Sequence, residues 1–189
     1  MKSLNRIGMH PVSLPLSADD ILEFHAARLL LLLSTCGVKG RIDGLTKMAK
    51  LDFFARYPDF FEVARAATMS ADSANTRDRP ESDEAVESAM VRHHYGPWDK
   101  RYYHVLAYLE ARQLITVTKE GKYYRIALAE LGRDRAKTLA LRPSFAPLVG
   151  RMGEVKKSFG SKSGTFLKDL IYRIFDAEVS QRPMGKEIR

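Results

Sequence analysis

The chain has 189 residues, of which 45% are hydrophobic and 29% charged, a composition that excludes both a disordered tail and a membrane protein and suits one domain with appendages or two very small ones. Thirty-one Lys and Arg against 23 Asp and Glu leave a formal charge of +8. That surplus favours an acidic partner, either nucleic acid or an acidic protein face, and is equally compatible with an ordinary solvated surface.

Residues 1–16 hold two prolines and no hydrophobic period, and read as an arm. Lys2 and Arg6 precede no apolar core or cleavage site, so a signal peptide is not expected. A helix is predicted from Ser17, which has capping-box spacing to Asp20. Ile21, Phe24, Leu29, Leu32 and Leu33 are placed to bury one face, and the five consecutive leucines imply burial on nearly all sides. The greasiest stretch, Leu29 to Val38, falls short of the ~18 apolar residues a membrane span requires, so a cytoplasmic location is expected. Cys36, the single cysteine, excludes an intramolecular disulfide and reads as a small buried hydrophobe. Gly37 and Gly40 end the helix. A second is predicted from near Gly44, with Leu45, Met48, Leu51 and Phe54 as its apolar stripe and Lys47, Lys50 and Arg56 off it. Pro58 closes it, and Asp59 caps a short third helix through Phe60, Phe61, Val63 and Ala64. Ser70 to Glu84 has almost nothing to bury and reads as a mobile insertion that interrupts one core.

Ala85 to His94 reads as a short helix, broken at Gly96-Pro97. Asp99 is the N-cap expected for a helix over Lys100 to Arg112, with Tyr103, Leu106, Ala107 and Leu109 as its buried face. Ile115 and Val117 then alternate with Thr116 and Thr118, and Tyr124, Ile126 and Leu128 alternate with Tyr123 and Arg125. With Lys119-Glu120-Gly121 between them, Leu114–Thr118 and Lys122–Leu128 predict a β-hairpin. Leu128, Leu131, Ala136 and Leu139 mark another helix. Arg142-Pro143 separates it from two more helical patterns, one through Phe145, Leu148, Met152 and Val155, the other after Ser161 and Ser163 through Phe166, Leu167, Leu170, Ile171, Ile174 and Phe175. Residues 181–189 read as a loose end.

A helix leading through a short connection into a hairpin, with a helix after it, is the second half of a winged helix. The expected fold class is therefore mainly α with a small β-hairpin, α+β. The expected organisation is an arm over 1–16, a winged-helix domain over 17–141 containing the insertion 70–84, and a C-terminal helical extension over 142–189. Leu106-Ala107-Tyr108-Leu109-Glu110-Ala111-Arg112-Gln113-Leu114 resembles the closing helix of many winged-helix regulators, and Leu128-Ala129-Glu130-Leu131-Gly132-Arg133 resembles the segment just after their wing. Two longer blocks, residues 40–58 (Gly40-Arg41-Ile42-Asp43-Gly44-Leu45 onward) and 91–103 (Val91-Arg92-His93-His94-Tyr95-Gly96-Pro97-Trp98 onward), resemble the middle components of three-component ABC-ATPase defence systems. These include the Lamassu anti-phage and anti-plasmid systems. The similarity spans roughly residues 20–141, continues weakly into 163–165 and 183–185, and includes no catalytic motif. The resemblance implies an accessory subunit that binds an SMC-like ABC ATPase and holds an effector, commonly a nuclease.

Candidate sites are set by residue type. In a winged helix on DNA, Lys100, Arg101 and His104, with Lys119, Lys122 and Arg125 on the hairpin, are the natural phosphate contacts, and Lys47, Lys50 and Arg56 form a second cluster. No side-chain set among them predicts base readout, and a solvated surface or an acidic protein partner fits the same charges. Tyr95, Trp98, Tyr102 and Tyr103 fit a structural corner anchored by Trp98 better than a base-stacking platform. His93-His94 lacks the i, i+3 or i+4 spacing of a helical metal site, and Gly160-Ser161-Lys162-Ser163-Gly164 lacks the spacing of a phosphate loop. The tail stripe of Phe145, Leu148, Met152, Phe166, Leu170 and Ile174 either folds back or docks on a partner. With no nucleophile–base pair, no paired carboxylates in a plausible cleft and no metal constellation, the expectation is a non-enzymatic protein without cofactor, metal or small-molecule substrate. The alternative to the accessory subunit is a dimeric winged-helix transcription regulator.

Overall fold

Residues 21–69, 90–93 and 96–175 are described by the structure, a computed structural model. The expected arm, the helix start at Ser17, the insertion 70–84, residues 85–89 and 94 of the helix expected over 85–94, and the loose end 181–189 lie outside the described residues.

The run of leucines makes α1 (Leu22–Cys36) the central helix. His25 to Leu33 and Cys36 are all buried, as expected of a helix apolar on nearly all sides. Around it pack α2 (Leu45–Arg56), α4 (Tyr102–Ala111), α5 (Glu130–Ala140) and α6 (Ala146–Phe159). Helix α3 (Pro58–Met69) begins at Pro58, because a proline that cannot continue α2 is well placed in a first turn; at twelve residues it is a full helix. Gly44 carries φ +97, a conformation that favours glycine, at the turn from strand β1 (Arg41–Asp43) into α2.

The hairpin forms as the alternation predicts, from β4 (Ile115–Glu120) and β5 (Tyr123–Leu128), with Ile115, Ile126 and Leu128 buried. Its register, from Ile115 opposite Leu128 to Glu120 opposite Tyr123, leaves a two-residue turn at Gly121-Lys122. Strand β1, not anticipated from the sequence, pairs antiparallel with β5, Arg41 opposite Ala127 and Asp43 opposite Arg125, giving the sheet order β1-β5-β4. Three residues are too few for an alternation to register. The short helix expected over 85–94 is also corrected where it is described. Val91–His93 is strand β2, antiparallel to β3 (Gly96–Trp98), with Val91 opposite Trp98.

Of the two alternatives open for the tail, folding back is the one observed. Helices α6 and α7 (Gly164–Ile174) fold back onto α1 and α2, and Leu148, Met152, Leu167, Leu170 and Ile171 belong to the one hydrophobic core. Phe159 meets Phe54 with ring centroids 4.8 Å apart, and Phe175 meets Phe60 at 4.7 Å. Burying each such side chain stabilises the fold by roughly 1.5–3 kcal/mol, so the stripe is consumed internally except at the exposed Phe166. Ser163 caps α7, its Oγ accepting from the Phe166 N–H at 3.1 Å. The architecture is thus mostly helical with a small three-stranded antiparallel sheet, an α+β fold.

Candidate nucleic-acid interface

Helix α4 is held by the corner that precedes it. Trp98 is buried and meets the buried Tyr102 edge-on at 5.2 Å. Asp99 is not the N-cap expected for α4: the helix begins at Tyr102 with Arg101 at that position, and Asp99 Oδ1 accepts from the Arg101 N–H at 2.9 Å in the turn before the helix. Tyr102, Val105, Leu106 and Leu109 form its inner face. The expected inner face is corrected at two positions: Tyr103 is 62% exposed and Ala107 is exposed. Tyr103, His104, Ala107 and Glu110 on α4, with Lys100 in the turn before it, therefore form an outward surface. At the end of the hairpin, Lys119, Gly121, Lys122, Tyr123 and Tyr124 are exposed as well. Lys100, His104, Lys119 and Lys122 are therefore available to an anionic ligand. Arg125 is partly committed, pairing with Asp43 at 3.2 Å and with Glu120.

The other predicted cations go elsewhere. Lys50 is fully buried and donates through Nζ to the Pro97 carbonyl at 2.8 Å. Burial, reinforced by the charge of Lys168, pushes its pKa down to about 7. The Arg56 side chain is 1% exposed and pairs with Asp99 at 3.0 Å. Neither is a surface phosphate contact, which corrects the expected second cluster. Its third member, Lys47, is partly buried and donates to the Gly160 carbonyl at 2.8 Å. These lysines and arginines lay off the apolar stripe of α2, but carbonyls and carboxylates far along the chain come to meet them.

Arg56 belongs to an interior charge cluster that sequence reasoning missed. Arg28 Nε donates to Asp52 Oδ1 at 3.1 Å and Arg28 Nη2 to Asp99 Oδ2 at 3.5 Å. Arg101 donates to both oxygens of Asp99 at 2.9 Å, and the Tyr102 hydroxyl donates to Asp52 Oδ2 at 2.7 Å. His25 lies between two guanidiniums, Nδ1 2.9 Å from Arg28 Nη1 and Nε2 2.9 Å from Arg101 Nη1. Burial raises the pKa of Asp99, but the hydrogen bonds from the Arg101 side chain and backbone, with the charges of Arg56 and Arg101, outweigh it and hold the carboxyl well below the usual carboxylate range. Burial first, then the charge of Asp52, holds the Tyr102 phenol well above its ordinary value, so it remains a donor. The cluster ties α1, α2 and the start of α4 together. Arg101, with a side chain 30% exposed, is chiefly a member of it. Two signals in the sequence pointed here: Arg28 immediately before five leucines, and Asp52 between Leu51 and Phe53.

The remaining candidates are quickly placed. Among the partner-docking residues, Leu148, Met152 and Leu170 are 6%, 0% and 2% exposed, Phe145 and Ile174 pack partly buried against the core, and only Phe166 is exposed, at 39%. Cys36 is buried and donates to the Met152 carbonyl at 3.3 Å; burial pushes its thiol up to about 12, the opposite of an activated nucleophile. Tyr95 and the side chains of His93 and His94 lie outside what is described, and among the described residues no group of three potential ligands could hold a metal ion. No described helix is long and apolar enough to cross a membrane. Comparison with known protein families, with curated proteins and with solved structures finds no match.

Proposed function

We propose that this chain is a non-enzymatic winged-helix subunit that contacts DNA through the outer face of α4 and the β4–β5 hairpin, and that it links an SMC-like ABC ATPase to an effector, commonly a nuclease, in an anti-phage and anti-plasmid defence complex. The observation that carries the DNA contact is the order α1-β1-α2-α4-β4-β5 with β1 beside β5. In that order the helix preceding the hairpin is the one offered to a major groove and the hairpin tip is offered to a backbone. Helix α3 and the β2–β3 pair are additions between α2 and α4. Lys100, His104, Lys119 and Lys122 stand exposed on these two elements.

The ATPase part of the reading rests on the resemblance. The two blocks that carry it, Gly40–Pro58 and Val91–Tyr103, become β1 with α2 and β2–β3 with the start of α4. They meet in the interior, where Asp52 and Arg56 of one engage Tyr102 and Asp99 of the other. Residues of that type at those places are ones a shared fold would need, which supports carrying the family's role across. The test is to co-express the tagged chain with its genomic neighbours, then purify, size and identify what accompanies it. A stable assembly containing an SMC-like ATPase is expected. A chain that elutes alone as a dimer and shifts its own promoter DNA would refute the assembly and make it a transcription regulator.

A further inference from the structure

The α6–α7 turn carries a second concentration of charge that none of the sites above uses. Between the exposed Glu154 and Asp169, residues 155–168 contain four lysines (Lys156, Lys157, Lys162 and Lys168) and no Asp or Glu. Lys168 pairs with Asp169 at 3.1 Å. Lys156, Lys157 and Lys162 are exposed, and among the described residues none of the three forms an ion pair. Lys47 adds a fourth cation to this surface, since its ammonium is held at 2.8 Å by the carbonyl of Gly160 in the turn itself.

The turn is tied to the hairpin through the start of α2. The Gly44 N–H, just before α2, donates to the Tyr124 carbonyl on β5 at 2.7 Å. Three residues further on, Lys47 meets Gly160. These two hydrogen bonds, joined by the three residues of chain between Gly44 and Lys47, link the hairpin to the α6–α7 turn across the start of α2, beside the exposed Asp43 that pairs with Arg125. Uncompensated like charges so close together repel one another and destabilise the fold slightly, a cost that a polyanion would relieve. The chemistry of the surface selects among acidic partners. It consists of lysines with Ser161, Ser163 and Thr165, all exposed, and Phe166 is its one exposed large apolar residue, with Lys162 lying 5.1 Å from the ring centroid. Lysine and serine are depleted where proteins meet proteins, whereas lysines with hydroxyls are ordinary contacts to a nucleic-acid backbone.

We propose that the α6–α7 turn is a second DNA-backbone contact, with Lys156, Lys157 and Lys162 on phosphates, so that duplex DNA is held along a band running from the hairpin past Lys47 to this turn. The inference rests on the DNA contact proposed for α4 and the hairpin, and adds a segment of DNA that those elements alone would leave free. Three full-length variants separate the two: Lys156→Ala/Lys157→Ala/Lys162→Ala for the turn, Lys119→Ala/Lys122→Ala for the hairpin, and the two sets combined. Binding to a fluorescent duplex of about 30 base pairs is followed by anisotropy from low to moderate salt, after thermal melts show that each variant keeps the wild-type fold. Because each lost phosphate contact lowers the slope of log K against log salt by about 0.9, the turn variant should lose about 2–3 units of slope and at least about tenfold in affinity near 0.1 M salt. The combined variant should lose more than either alone. A turn variant that binds as the wild type does, while the hairpin variant is weakened, would overturn this inference and leave the α4–hairpin reading standing. It would also turn attention to an acidic protein as the occupant of the turn. A wild-type chain with no salt-dependent affinity for duplex DNA would overturn both.

Discussion

Asp99→Asn is the substitution with the most to say about the interior. The change is nearly isosteric and keeps an oxygen in place to accept the Arg101 N–H, so the turn into α4 survives while the charge is lost. That carboxylate is 5% exposed, and Arg56 reaches it at 3.0 Å, Arg101 at 2.9 Å and Arg28 at 3.5 Å. Without it the three guanidiniums face Asp52 as their remaining acid in the cluster, and the buried excess of positive charge doubles. Removing one partner of a buried, hydrogen-bonded pair typically destabilises by about 3–5 kcal/mol. In a chain of this size each kcal/mol moves the melting temperature by about 2–4 °C, so a drop on the order of 6–20 °C is expected. Calorimetry on Asp99→Asn, on Arg56→Met and on the double variant gives the assay, because neutralising one guanidinium should restore part of the loss. Asp99→Ala should be worse than Asp99→Asn by about 1 kcal/mol, the net worth of the hydrogen bond from the Arg101 N–H. An Asp99→Asn protein that melts within a degree or two of wild type, with no coupling to Arg56, would refute the assignment of this cluster to holding α1, α2 and α4 together.

Other consequences are as direct. The Lys50 amine has a pKa of about 7 in the fold, lowered by burial and by Lys168, against about 10.4 in an unfolded chain. Between those values the unfolded chain holds the proton that the folded chain has released, so the Lys50 contribution to stability rises with pH, by up to about 1.4 kcal/mol per unit. Cys36, whose thiol is raised to about 12 in the fold, acts in the opposite direction above its unfolded pKa. The readout is therefore the difference between wild type and Lys50→Met in urea titrations at pH 7, 8 and 9: wild type should gain relative to the variant at each step. Gly132→Ala would place a methyl 1.8 Å from the Leu114 carbonyl oxygen, at the seam of α5 and β4, and overpacking against backbone should cost at least about 2–3 kcal/mol in chemical denaturation. Met152→Ala should destabilise the isolated chain by about 2–5 kcal/mol, since the side chain is fully buried; a partner-docking residue would leave the stability of the free chain unchanged.

The elements legible in advance were those whose patterns repeat. Five leucines in a row announced a helix buried all round, and Ile115, Val117, Ile126 and Leu128 announced the hairpin, because alternation over six residues is hard to satisfy otherwise. Ser163 announced the start of α7 through its capping position. The three-residue strands β1 and β2 carried no period and were settled by partners in space, β1 by β5 some eighty residues later. The interior charges misled for the same reason. Lys50 and Arg56 lie off the stripe of α2, which ordinarily means solvent, yet the Pro97 carbonyl and the Asp99 carboxylate arrive 47 and 43 residues further on to bury them. The tail was ambiguous because an apolar stripe states that burial is needed without stating against what. Of the predicted phosphate contacts, Lys100, His104, Lys119 and Lys122 are the ones left exposed, whereas Arg101 and Arg125 are met by His25 and Asp43, 76 and 82 residues away.

The most direct test of the account is site-specific cross-linking from that face. A photo-reactive phenylalanine analogue would replace Tyr103 on α4 or Lys122 at the hairpin turn, both exposed, with the same analogue at Asp134 on the outer side of α5 as the control. The assembled complex would then be irradiated with labelled duplex DNA. Cross-links to DNA from positions 103 and 122, and none from 134, are the predicted result. Cross-links from 103 and 122 to protein alone, with none to DNA, would contradict it.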